Sequence, residues 1–201
     1  MQRESCKENL EEKLMASQDR SELLATAIRS GDIDMVRTLV AEKAHLNWGY
    51  GDTPLSLAAE EGQLEVVRLL LDAGVPVDEE DEEDGDFGSN RTALTAAATN
   101  GHLEVAGLLV QRGADVHHES APLINAVSDL AMVQFLIEAG ANPAQEDEEG
   151  RPAIAYASEQ GHPEVVQFLA EAAGWEQNED MEELLKTARE VAQEGDDDED
   201  D

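Results

Sequence analysis

An all-α solenoid of stacked helix–turn–helix units is the fold this sequence predicts, on three observations. The segment from Thr53 to Gly74, TPLSLAAEEGQLEVVRLLLDAG, returns with the same pattern from Thr92 to Val116 and from Pro152 to Gly174. The apolar anchors Leu24, Leu55, Leu94, Leu123 and Ile154 lie 31, 39, 29 and 31 residues apart, a spacing that marks a repeat architecture. Hydrophobic residues make up 41% of the 201 residues, yet aromatics only 3%. Helix pairs packed with Ala, Leu and Val suit that balance, and an array has no single globular core to fill.

Each unit can be justified along its length. Thr53 is placed to cap a first helix, with Pro54 in the first turn where a missing N–H costs nothing. Leu55, Leu57, Ala58 and Ala59 give that helix a small apolar face, and Gly62 closes the turn. Glu65 opens a second helix at the end where the dipole favours a carboxylate. Val66, Val67, Leu69, Leu70 and Leu71 pack it, and Gly74 ends it in a left-handed cap. Weaker copies run from Glu22 to Asn47 and from Ala121 to Pro143. With TPL and GHLEV elements in this register and a period near 33, the chain resembles the ankyrin repeat family over residues 21–174. It departs from the usual His after TPL: Ser56, Thr95, Ile124 and Ala155 stand there.

Five repeats are expected, at about 21–50, 51–90, 91–119, 120–149 and 150–174. Residues 1–20 are polar, with Leu10, Leu14 and Met15 at helical spacing, and read as an arm or a partial helix. In the first repeat Lys43 replaces the helix-ending Gly and Asp32 and Asp34 line the turn, as a capping repeat with one wet face allows. The resemblance implies that the repeats are joined by β-hairpin fingers projecting on one side. From Gly74 to Leu94 the connection is six residues longer than that from Gly140 to Ile154, and from Gly113 to Leu123 four shorter. The insertion holds Glu79, Glu80, Asp81, Glu82, Glu83 and Asp84, followed by a turn-rich segment from Gly85 to Asn90. Adjacent acids repel, so this tip is expected to stay mobile until a partner neutralises it. A second acidic finger carries Glu146, Asp147, Glu148 and Glu149. In repeat 4 Leu123 to Ala131 spans eight positions where its neighbours span ten, which predicts irregular stacking there. Beyond Gly174, residues 175–195 read as a capping helix with Asp180 as N-cap, Gly195 as stop and Trp175 beneath it. The acidic residues 196–201 read as a disordered tail.

Chemistry finds little support. The net charge of −34 repels nucleic acid and anionic membranes and favours basic partners, or serves solubility alone. Cys6 is the single cysteine, so no internal disulfide can form, and no signal-like or membrane-spanning apolar run is present. A cytoplasmic setting is expected. His102 and His162 fall in the Gly-His turns, where the resemblance implies a tie, and His45 in an exit turn. His117 and His118 beside Glu119 leave a metal-ion reading open, but no His-x-x-x-His pair occurs and one Cys excludes the usual zinc knuckles, so a solvated finger contact is favoured. An EF-hand starting at Glu80 with Gly85 sixth would place Arg91 where an acid is required, so that match fails. No phosphate loop, nucleophile elbow or triad order occurs. No enzyme, metal or cofactor is expected.

What the resemblance implies instead is a protein-binding face formed by fingers and first helices. Carried over by position, its contact residues are Tyr50 and Asp52, Ser89 and Arg91, and Glu148, Glu149 and Arg151 before the first helices. Glu60 and Glu61, Thr99 and Asn100, and Glu159 and Gln160 follow at their ends. Trp48 and Phe87 stand at finger positions as anchors for a partner or as covers for a neighbouring finger. This surface predicts a basic protein partner, steered in by charge, and a chain that is monomeric when free.

Overall fold

A computed structural model describes residues 20–42, 52–81, 91–119, 121–147, 149–175 and 179–196. Over these residues five helix pairs follow one another and an eleventh helix closes the row. They are α1 (residues 20–30) with α2 (Ile33–Ala41), α3 (Pro54–Glu60) with α4 (Leu64–Asp72), and α5 (Ala93–Thr99) with α6 (Leu103–Gln111). Then come α7 (Pro122–Asn125) with α8 (Leu130–Glu138), α9 (Ala153–Glu159) with α10 (Pro163–Ala173), and last α11 (Glu179–Asp196). First helices stack on first helices and second on second, so the core is a continuous strip rather than a ball.

The caps form as expected. Thr53 Oγ1 accepts from the Ser56 N–H at 3.1 Å and Thr92 Oγ1 from the Thr95 N–H at 3.4 Å. The five anchors Leu24, Leu55, Leu94, Leu123 and Ile154 are all buried, as are Val66, Val67 and Leu70 of α4. Leu69 and Leu71 are only half-buried. Ala58, Ala59, Ala96, Ala97, Ala98 and Ala157 fill the space between first helices. Short side chains there let the backbones approach, which is why aromatics are few.

One contact type recurs at the junctions. His102 lies against Gly62 of the preceding repeat, and its Nε2 pairs with the Glu60 carbonyl at 2.8 Å. Gln63 reaches back to the Ile28 carbonyl beside Gly31, and Asp129 to Gly101. At the end of the row Ala192 and Val191 of α11 close over Gly161. Gly62 must be glycine twice over: its φ is +67°, and a Cβ there would stand 2.7 Å from the His102 ring. His102 thus ties neighbouring repeats together and not its own turn.

Repeat 4 is irregular, as its short spacing predicts. α7 is a single turn of four residues where α3, α5 and α9 have seven. The shortened finger before it folds back so tightly that Ala121 adopts a left-handed conformation, φ 50°, while its N–H meets the His118 carbonyl at 2.9 Å. Among the described residues the fingers hold one isolated antiparallel bridge, Glu146 with Pro152, and no longer ladder.

The C-terminal helix differs in detail from the expectation. It starts at Glu179, so Asp180 lies inside it, and it runs through Gly195 to Asp196. It packs on α9 and α10, with Ser158 Oγ donating to the Leu184 carbonyl at 2.8 Å. Trp175 is not beneath it: that residue is 43% exposed, whereas Met181 and Ala188 of the helix are buried. The expectations for residues 1–19 and for the tail after Asp196 lie outside the described residues.

Candidate functional site

Two clusters occupy the side formed by fingers and first-helix ends. The first is built on Arg91. Its Nε donates to Asp81 at 3.0 Å, and its terminal nitrogen to Asp52 and to Glu60, both at 2.9 Å. Asp81 also accepts from the Thr53 N–H at 2.6 Å and from the Ser56 hydroxyl. Its side chain is 3% exposed. This corrects the reading of residues 79–84 as one acidic tip. Asp81 points inward, because two donors at the start of α3 and a guanidinium give a buried carboxylate the partners it needs. Burial works against the Arg91 charge, but the hydrogen bond and charge of Asp81, then those of Glu60, outweigh it and raise the guanidinium pKa. Asp52, Glu60 and Arg91, expected as contact residues, are therefore bound to one another.

The neighbouring fingers touch at their bases. Asp78 accepts from the Asp115 N–H at 3.0 Å, and His118 Nε2 meets Glu80 at 3.2 Å. The His117 N–H donates to the Asp115 carboxylate at 2.8 Å, a contact within the turn. Among the described residues no group of three or more His, Cys, Asp or Glu is placed to hold a metal ion.

The second cluster is built on Asp147. Its carboxylate accepts from the Arg151 N–H at 2.8 Å, the Glu149 N–H at 2.9 Å and the Tyr156 hydroxyl. The Tyr156 bond first, then the backbone donors, hold the carboxyl below its usual pKa. The same bond, with burial adding to it, raises the phenol. Arg151 lies over the Tyr156 ring, 4.3 Å from its centroid, and pairs with Glu159. That pairing raises the Arg151 pKa.

Between α5 and α9, where α7 stops after one turn, the surface is notched. The groove has a volume of about 640 Å³. Its lining includes Thr99, Ala121, Ile124, Tyr156 and Gln160 together with the acids Glu119, Asp147 and Glu149. No Lys, Arg or His lines it.

The structure thus gathers Thr99, Glu149 and Gln160 in one groove and Asp52, Glu60 and Arg91 in one network. Glu61 and Asn100 stay exposed at helix ends, with Asn100 donating to the Ala96 carbonyl at 2.9 Å. Trp48, Tyr50, Glu82, Glu83, Asp84, Phe87, Ser89 and Glu148, together with His45, lie outside the described residues. Tyr156, Asp147 and Glu119 were not singled out as contact residues. Tyr156 had a signal: it is an aromatic at a first-helix position where the other repeats carry Thr26, Leu57, Ala96 and Asn125.

Comparison with known families agrees with this architecture. The family model described as ankyrin repeats (3 copies) matches residues 2–81, 24–120 and 117–181. No curated protein matches the chain.

Proposed function

The chain belongs to the ankyrin repeat family, whose repeats are protein–protein interaction modules, and we propose that this array is an adaptor or escort for a basic protein segment. The observation that carries the reading is the electrostatics of the finger side. Its two described arginines, Arg91 and Arg151, are committed to internal carboxylates, and the groove beside them is lined by acids without a cation. The second helices are different: there Arg68 pairs with Glu65 and Arg112 with Asp72, so charges of both signs meet. A face of one sign speeds capture of an oppositely charged partner and disfavours nucleic acid and anionic lipid. Among the described residues no helix is long and apolar enough to cross a membrane. A cytoplasmic, non-enzymatic escort, monomeric when free, with Trp48 and Phe87 as anchors, completes the proposal.

Affinity capture eluted along a salt gradient tests it. The expected result is retention of a basic protein released steeply between low and moderate salt, where screening length shortens. A variant with Glu82, Glu83, Glu148 and Glu149 reversed to Lys should lose that retention, and Asp81 must be spared because it is structural. A partner of ordinary charge that resists salt would instead make the array a scaffold whose acids serve solubility.

A further inference from the structure

We infer that residues 2–19 cover an apolar face that repeat 1 leaves open, seating Leu10, Leu14 and Met15 against Leu23 and Met35. The face emerges when the repeats are compared position by position. Met35 stands in α2 where the later second helices carry Val66, Val105, Met132 and Val165. Those four are buried, whereas Met35 is 40% exposed. Leu23 stands in α1 where the later first helices carry Pro54, Ala93, Pro122 and Ala153. Those four are buried as well, whereas Leu23 is 49% exposed. Ile33, in the first turn of α2, is exposed too. Each later repeat follows another, and no described unit stands before repeat 1. A terminal repeat left open to water carries a polar outer face. Leucine in place of proline or alanine does the opposite, and marks an edge that is meant to be covered.

The adjoining segment supplies the complement. At helical spacing Leu10, Leu14 and Met15 share one side, and Asn9 falls on the other. Ala16 to Asp19 leave four residues between this stripe and α1, within the length that joins antiparallel helices. The match to the ankyrin family begins at residue 2, so the family pattern runs across this segment. Charge and tethering favour it over a second copy of the chain. Residues 1–19 hold three basic and five acidic side chains, whereas another copy brings a net charge of −34. A segment joined by so short a connection also acts at a high effective concentration. The far end of the row is closed in the same manner, by α11 packed on α9 and α10 with Met181 and Ala188 buried.

Amide hydrogen exchange on the full chain tests the cover, with Leu14→Asp set against Asn9→Asp, which adds the same charge on the opposite side. In an array each repeat touches only its neighbours, so α1 and α2 can open without the rest. Leu14→Asp should speed exchange in α1 and α2 roughly tenfold or more, the loss expected when a buried leucine is exposed. Exchange in α9 and α10 should stay as it was, and Asn9→Asp should change α1 and α2 by about twofold or less. In a Met35→Ala background Leu14→Asp should add less than it does alone, because the two residues share one contact. Proximity is read separately by a nitroxide on Cys6, the single cysteine. It should broaden the Met35 methyl signal, and Leu14→Asp should restore that signal. Exchange in α1 and α2 unmoved by Leu14→Asp, or a Met35 methyl that the label affects equally in both chains, overturns the inference. Protection of α1 and α2 that rises with protein concentration, together with a dimer in sedimentation, overturns it in favour of a second copy.

Discussion

Replacing Asp81 with alanine puts the internal role of this acidic residue to a direct test. The carboxylate is 3% exposed and holds three donors: the Thr53 N–H, the Ser56 hydroxyl and Arg91 Nε. Losing the charge-assisted bond to Arg91 costs about 1.5–3 kcal/mol, and leaving the buried Thr53 N–H without an acceptor about 1–3 kcal/mol. Arg91 is 26% exposed and keeps Asp52 and Glu60, so its own stranding adds little, since exposed pairs are worth about 1 kcal/mol at most. The total is about 4 kcal/mol, a large share of the roughly 5–15 kcal/mol that holds a typical domain together. Urea denaturation followed by circular dichroism measures it. Glu80→Ala, which removes only the exposed contact to His118, is the control and should cost less than about 1 kcal/mol. A loss under about 1 kcal/mol for Asp81→Ala would refute the network and return Asp81 to the solvent-facing tip.

Two further predictions use the junctions and the Asp147 cluster. Gly62→Ala should cost about 2 kcal/mol, from left-handed strain and a displaced His102, whereas Gly74→Ala should cost about 1 kcal/mol or less. Gly74 also has positive φ, but nothing stands within 4 Å of its Cβ position; equal losses in urea melts would show that the His102 contact carries no energy. In a Tyr50→Phe background, phenolate absorbance should show Tyr156 ionising above the ordinary tyrosine range, and Asp147→Asn should bring it back. The sign follows from linkage. The raised phenol contributes stability that is complete below its unfolded pKa and lost as pH rises through the folded value. The depressed Asp147 contributes stability present above its unfolded pKa and lost as pH falls through its folded value. A Tyr156 titration unmoved by Asp147→Asn would rule out the bond.

The frame was legible because it is local and repeated. Thr-Pro caps, the Ala pair and the glycine after each second helix act within a few residues, and every copy votes for the same answer. The irregularity of repeat 4 was legible too, from the spacing of eight positions between Leu123 and Ala131. What the sequence hid are contacts between distant positions. Asp81 looks like its neighbours Glu80 and Glu82 until the fold brings Thr53, Ser56 and Arg91 around it. The notch was hidden for the same reason: its lining comes from α5, α7, α9 and two fingers. Trp175 shows the opposite error, where a large apolar residue beside a helix was assigned a place beneath it, whereas Met181 and Ala188 are the buried ones.

The two finger arginines also bear on what the charge is for. Arg91 and Arg151 stand at the same position in their repeats, directly before the first helix, and each reaches a glutamate at a first-helix end, Glu60 or Glu159. Both therefore offset repulsion where the acids crowd against the frame. A net charge of −34 works against the compact state through self-repulsion, and solubility alone is served at far smaller imbalance. Arginines paired to acids at the base of the fingers, with Glu119 and Glu149 in the lining of the groove beside them, form the pattern expected when stability and capture are met by different carboxylates. Neutralising Asp81 should therefore destabilise the array, and neutralising the exposed Glu149 should weaken capture of a basic partner while the melting temperature stays the same.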